Sequence, residues 1–330
     1  MEALRSADEI RDANTRYHDV AAQSYDSKWG IDFGPVGQGQ VLGKLSKVLG
    51  AELGRGYQRS LEIGAGTGYF TLNLLQAGVV QEATCTDISP GMIRQLADNA
   101  RRLRLNVRTA RADAESLPFP DQTFDIVFGH AVLHHLPNVR RAFAEFHRVL
   151  RPGGRIAFAG EPSRAGDRLA ALPKRGALTV APLWRKLIGA GPAPAPGYAD
   201  VAPARAPAPL QAGSNGASAP KDEGRDLERL VDIHAFAPAD LARHARRTGF
   251  EEIDVRGEEL VANWFGWFNR GLEATADPDQ VPMLWRQYAF NGYLVLQRLD
   301  ERVLEPLLPP ALFYNLLLTA RKPAPAPALA

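Results

Sequence analysis

The run Leu61-Glu-Ile-Gly-Ala-Gly-Thr-Gly-Tyr-Phe70 reads as a strand that breaks into a glycine loop and then into a helix. Gly64, Gly66 and Gly68 recur every second residue, and Thr71-Leu-Asn-Leu-Leu75 resumes at helical spacing. Glycine takes φ > 0 and lets the backbone approach a ligand with no Cβ in the way. The helix that follows presents unpaired N–H groups and a positive dipole end, which suit a carboxylate or other polar ligand group. Tyr69 stands where the third glycine of a dinucleotide fingerprint belongs. The loop therefore points away from NAD and toward a different nucleoside.

Four further strands follow in order. Glu82-Ala-Thr-Cys-Thr-Asp-Ile88 reads as a second strand ending in an acid, about 20 residues past the glycines, where a carboxylate can grip ribose hydroxyls. Asp87 can also be read as a helix N-cap, but Ser89-Pro90 supplies a better one, which leaves Asp87 free. A third strand, Asn106–Ala112, ends in Asp113-Ala114, and a fourth, Phe124–Phe128, runs through Gly129-His130 to Leu133-His-His-Leu136. A helix through Phe143 and Val149 stops at Arg151-Pro-Gly-Gly154, and Arg155–Ala159 is a fifth strand.

With LEIGAGTG, TDIS, ADAESLPFPDQTFDIV, LHHLP and LRPGGRI in this order, the chain resembles the class I S-adenosylmethionine-dependent methyltransferases. The likeness is to the type 11 branch, typified by quinone-biosynthesis and other small-molecule enzymes. It covers Tyr17 to Gly160 and resumes at Phe236–Phe250. It implies an α/β, Rossmann-like fold: a doubly wound, seven-stranded, mostly parallel sheet with an antiparallel last strand. It implies S-adenosylmethionine as cofactor, with Gly64, Ala65 and Gly66 against its methionine and ribose part. Asp87 would take the ribose hydroxyls and Ile88 the adenine face. Asp113 would accept from the adenine amino group beside the Ala114 amide. The backbone at Gly129 and His130 would meet the methionine ammonium, and Glu62 would reach the same region through water.

At 330 residues and 45% hydrophobic content the chain can bury one large core and carry a substantial insertion. A formal net charge of +2 gives no nucleic-acid signature. The lone Cys85 excludes an internal disulfide and fits a reducing, cytoplasmic setting. The N-terminus lacks the apolar core of a signal peptide, and no run is long enough to span a bilayer.

The sequence divides into four parts. Residues 1–47 form a lead carrying Tyr17, Tyr25 and Trp29, either covering the cofactor or anchoring a helix on the sheet. Residues 48–160 are the core. Residues 161–225 are an insertion whose Ala/Pro/Gly-rich tracts, 191–196 and 202–220, read as disordered or polyproline-like. Residues 226–330 hold a helix from Phe236 to Phe250, a sixth strand over Glu251–Leu260 and a seventh over Leu312–Arg321. Between those strands, 261–311 reads as a helical aromatic cap, with Trp264, Trp267 and Trp285 either lining an acceptor pocket or packing the cap.

Methyl transfer from a sulfonium is an in-line displacement, so the protein supplies alignment and exclusion of water. A hydroxyl or acidic carbon acceptor also needs a base. His130 and His134 are the candidates, with His135 beside them, although the paired His can instead hold the loop. No His/Cys/Asp spacing suits a metal. There is no Asn-Pro-Pro-aromatic motif, no second cysteine and no basic stripe, which disfavours amino-group, base-carbon and RNA methylation. The expected acceptor is an apolar or planar small molecule or a lipid-like one, methylated at oxygen or carbon; the alternative is a catalytically silent cofactor-binding protein. The stretch from Arg164 to Leu187 interleaves basic and apolar residues, as a lid face or as a contact with anionic membrane.

Overall fold

Ser60–Ile63 are all buried, the continuous burial expected of a strand covered on both faces. They end β1 (Tyr57–Ile63), which pairs in parallel with β2 (Val80–Asp87) on one side and β4 (Phe124–His130) on the other. The computed structural model describes residues 6–193 and 233–324. With β3 (Val107–Arg111), β5 (Leu150–Pro162), β6 (Glu251–Glu258) and β7 (Asn315–Arg321) the sheet has the order β3-β2-β1-β4-β5-β7-β6. Chain direction across the sheet reverses at β1/β4, the switch point where open α/β sheets bind ligands beyond the strands' carboxyl ends. β7 is antiparallel to β5: Gly153 and Gly154 exchange backbone bonds with Lys322, whereas the later Ile156 carbonyl accepts from the earlier Thr319. The expected seven-stranded, mostly parallel sheet is present.

The helices of the core are α1 (Ala7–Ala21), α2 (Tyr25–Trp29), α3 (Pro35–Leu49), α4 (Tyr69–Gln76), α5 (Pro90–Leu103) and α6 (Val139–Val149). Val41, Leu45, Val48 and Leu49 of α3 join Phe70, Leu74, Phe128 and Ala157 in the main apolar core. The boundary expected after residue 47 falls inside this helix.

The described residues form two compact units: one of residues 6–161, 233–256 and 317–324, the other of 162–193 and 257–316. The insertion and the cap, separate in sequence, thus share the second unit. It is built from α7 (Arg164–Ile188), and, past α8 (Pro238–Arg247) of the first unit, α9 (Val261–Glu273) and α10 (Met283–Leu299). The Asp300 carboxylate accepts from the amides of Val261 (3.1 Å) and Ala262 (2.9 Å), so a residue 38 positions away in sequence satisfies the start of α9. α7 meets α9 through small residues: a Cβ on Gly271 would lie 2.7 Å from Ala177 Cβ. β6 stops two residues before the expected Leu260 because Glu259 turns to φ +60°. β7 starts three residues late because a short turn, Pro310–Leu312, precedes it. The disorder expected from residue 191 lies outside the described residues from 194 on. Residues 191–193 are held: Gly191 N donates to Gln280 Oε1 (2.7 Å) and Ala193 N to the Thr275 carbonyl (2.9 Å).

Candidate functional site

Gly64 (φ +61°), Gly66 (φ +55°) and Gly68 (φ +93°) all take the left-handed conformation that favours glycine. At Gly64 space also demands it, since a Cβ would stand 2.4 Å from Val132 Cγ2 in the loop after β4. At Gly66, among the described residues, a Cβ would have only Tyr25 Cε1 within 4 Å, at 3.9 Å. The loop is thus tight against the protein at Gly64 and open at Gly66, with Tyr25 of the lead over it. Tyr17, the other aromatic expected to cover the loop, is buried and edge-on to His18. The buried Ala65 anchors the loop to β2 by donating to the Thr86 carbonyl (2.9 Å). Gly129 is buried where β4 nears β1, with Ile63 O only 2.8 Å from a Cβ position.

Ser89 caps α5 as expected, accepting from Met92 N (3.1 Å), but Asp87 is not left free. Its Oδ2 accepts from Gly66 N (2.9 Å) and its Oδ1 from Ser89 N (2.9 Å). The acid of β2 therefore holds the glycine loop directly. Asp87 is 7% exposed, and burial pushes its carboxyl up to about 6 against the pull of those amides. Glu62 is 2% exposed and bonds the chain directly, accepting from Thr71 N in the first turn of α4 (3.1 Å). Burial lifts its carboxyl to about 8, with the nearby Asp87 charge adding to the rise. At this strand-end crevice burial disfavours the charged form of both carboxyls, and each is held by backbone amides of the glycine loop or of the helix start beside it.

A cleft of about 380 Å³ opens beside them, lined by Ile88, Arg111, Ala112 and Asp113 and by Asp8, Arg11, Asp12 and Thr15 of α1. Arg11 closes its rim, with Nε 2.7 Å from Asp113 Oδ2 and Nη2 2.7 Å from Glu115 Oε2. Asp113 Oδ1 accepts from Glu115 N (2.9 Å), and Ala114 is buried between them. Asp19 holds the far end of α1 on α5, accepting from Ser89 Oγ (2.5 Å) and Gly91 N (2.7 Å). Arg11, Thr15 and Asp19 were not singled out from sequence. The signal was there in Ser6 and Glu9, which form a capping box at the start of α1.

The histidines diverge. His130, half-buried at the end of β4, stacks on Phe70 with ring centroids 4.6 Å apart. Gly160 (φ +73°) makes room for it: a Cβ there would sit 2.7 Å from His130 Nε2. His134, the other candidate base, is buried more deeply. It is 2% exposed, and its Nδ1 lies 2.8 Å from Glu161 Oε2. The same carboxylate accepts from the amides of Val132 (2.9 Å), Leu133 (3.0 Å) and His134 (3.1 Å). Burial alone would raise the Glu161 carboxyl; the His134 bond and those amides outweigh it and hold it below its ordinary value. His135 tilts against His134 at 3.9 Å between centroids and lies edge-on to His18 at 5.6 Å.

Trp267 is in the core of the second unit. It is 2% exposed, packs with Ala170 and Tyr314, and carries Lys174 Nζ 4.0 Å over its ring. Trp264 and Trp285 are half-buried, Trp285 edge-on to Trp184 at 5.2 Å.

The open glycine, the ordered acid at the end of β2 and the cleft beside it, lined by three acids and two arginines, suit a nucleoside. Residues 61–158 match a family described as Methyltransferase domain. The chain is 34% identical over 160 residues to the malonyl-[acyl-carrier protein] O-methyltransferase of Methylococcus capsulatus, covering 45% of this chain and 58% of that one. It is 37% identical to the ubiquinone/menaquinone biosynthesis C-methyltransferase UbiE of Pasteurella multocida, over 29% and 37%. The chain thus spans about half the length of such relatives or less. In fold it is similar to the [4+2]-cyclase SpnF, with a TM-score of 0.53 over 98% of both chains at 18% identity. Over residues 61–158 the strand order, the glycine loop with its acid and the family match agree, and this segment is similar to the class I S-adenosylmethionine-dependent methyltransferase domains of the type 11 branch.

Proposed function

We propose that this chain transfers the methyl group of S-adenosylmethionine to an apolar or planar small-molecule or lipid-like acceptor, at oxygen or carbon. The observation that carries the reading is the bond from Gly66 N to Asp87, which sets an open glycine loop against a carboxylate at the β1/β4 switch point. The cofactor supplies a methyl group on a sulfonium that leaves as a neutral thioether. The protein's part is to bind, align and exclude water. Asp87 would accept from the ribose hydroxyls, the cleft beside Ile88 and Asp113 would take the base, and the backbone at Gly129 and His130 would face the ammonium end. His130 is the proposed proton acceptor, because it is half-buried at the strand end while His134 is committed to Glu161.

Oxygen and carbon are favoured because the two relatives described above are named for O- and C-methylation. A second reading is cofactor binding without methyl transfer, because the glycine loop and Asp87 bear on binding and not on turnover. Incubating the protein with methyl-labelled cofactor and an extract of lipids and metabolites tests both. Label in an extractable apolar product supports transfer; saturable cofactor binding with no labelled product supports the second reading, and no binding at all overturns both.

A further inference from the structure

α7 is oddly laid out for a helix that packs on a core. Its buried face is small, made of Gly166, Ala170, Ala177 and Ala181 with Trp184. Its largest aliphatic side chains point outward: Leu183 is 73% exposed and Leu187 82%, Leu172 and Val180 are exposed as well, and so is Leu178 on another side of the helix. At about 100° per residue, Leu172, Val180, Leu183 and Leu187 fall within one sector of roughly 80°, set apart from the buried sector. Arg168, Arg175 and Lys186, all exposed, fall together along the other edge of that apolar stripe, in a sector of about 20°. The helix carries six basic residues and one acid, Asp167. Two of the six are engaged inward: Lys174 over the Trp267 ring and Arg185 donating to the Thr275 carbonyl (3.2 Å). No helix among the described residues is long and apolar enough to cross a membrane.

We propose that this face of α7 rests on an anionic phospholipid surface, with the leucines entering the acyl boundary and Arg168, Arg175 and Lys186 at the headgroups. An apolar stripe edged by like-signed basic residues is complementary to a negatively charged, apolar-backed interface. A neutral or acidic rim would have suited a second copy of this chain better.

The test is sedimentation of the whole chain with phosphatidylcholine vesicles, with and without about 30 mol % phosphatidylglycerol, the range in which surface charge attracts basic side chains. Expected is partition into the anionic vesicles at least about tenfold above the neutral ones, falling as salt rises. Arg168→Gln with Arg175→Gln should reduce it roughly thirtyfold. Leu183→Ser with Leu187→Ser should abolish it, while the melting temperature stays put because all four side chains are exposed. Absence of vesicle binding, or equal binding to neutral vesicles, overturns the proposal. So does a dimer in light scattering that Leu183→Ser dissolves with no partition into lipid, which would assign the face to a second copy. Methyl transfer plays no part in these readouts, so they stand or fall apart from the proposed activity.

Discussion

Glu161 Oε2 lies 2.8 Å from His134 Nδ1, and the same carboxylate holds three successive amides of the loop after β4. That loop carries Val132, whose methyl packs where a Gly64 Cβ would be. One buried acid at the end of β5 thereby sets the position of the loop that faces the glycine turn.

Glu161→Gln should cost about 3 kcal/mol, because the amide offers one acceptor where the carboxylate served four donors. The folded carboxyl lies below its ordinary value, so its contribution is present above the unfolded pKa and lost as pH falls through the folded one. Urea unfolding should show the wild-type advantage shrinking in acid; an advantage constant across that range would remove Glu161 from the account.

Asp87 should make cofactor affinity acid-sensitive. Its carboxyl sits at about 6 in the folded chain, so below that pH the charged acceptor is protonated. Calorimetric affinity should fall about tenfold per pH unit below 6 and level off above it. Asp87→Ala should weaken binding by about 1.5–3 kcal/mol and flatten this dependence. An unchanged affinity in a folded variant would refute the role.

Glu62 should make stability decline as pH rises from the ordinary carboxylate value to about 8. Its folded pKa of about 8 lies above the ordinary carboxylate value, so its favourable contribution is complete below that ordinary value and lost as pH rises through 8. Glu62→Gln should melt with less dependence on pH between the ordinary carboxylate value and about 8 than the wild type. Parallel curves would show that Glu62 is not the group responsible.

Gly160→Ala should damage turnover more than binding. The new Cβ would press on His130 Nε2, and φ +73° is strained for alanine. If His130 takes the proton, product formation should fall by about 10²-fold or more with cofactor affinity nearly unchanged. Equal losses in both would make His130 a packing group only.

Trp267→Ala should behave as a core truncation, costing about 3–5 kcal/mol of stability. A variant that melts like the wild type yet loses an identified acceptor would return Trp267 to the acceptor site.

Much of the fold was legible because its signals are local. The glycine spacing, the strand-ending acids at Asp87 and Asp113 and the Ser89-Pro90 cap each sit within a few residues of what they specify. The partnerships were not legible, because they join positions far apart in the chain. Nothing near Asp300 says that its carboxylate will cap α9, and nothing near Arg11 says that it will meet Asp113. His130 and His134 are four residues apart and alike in sequence. The sequence determined that histidines leave β4 beside the glycine loop. Only the tertiary structure separated them: Glu161 draws one into a sealed hydrogen-bond network, and Gly160 opens space for the other, because burial and partner supply are properties of the packed chain.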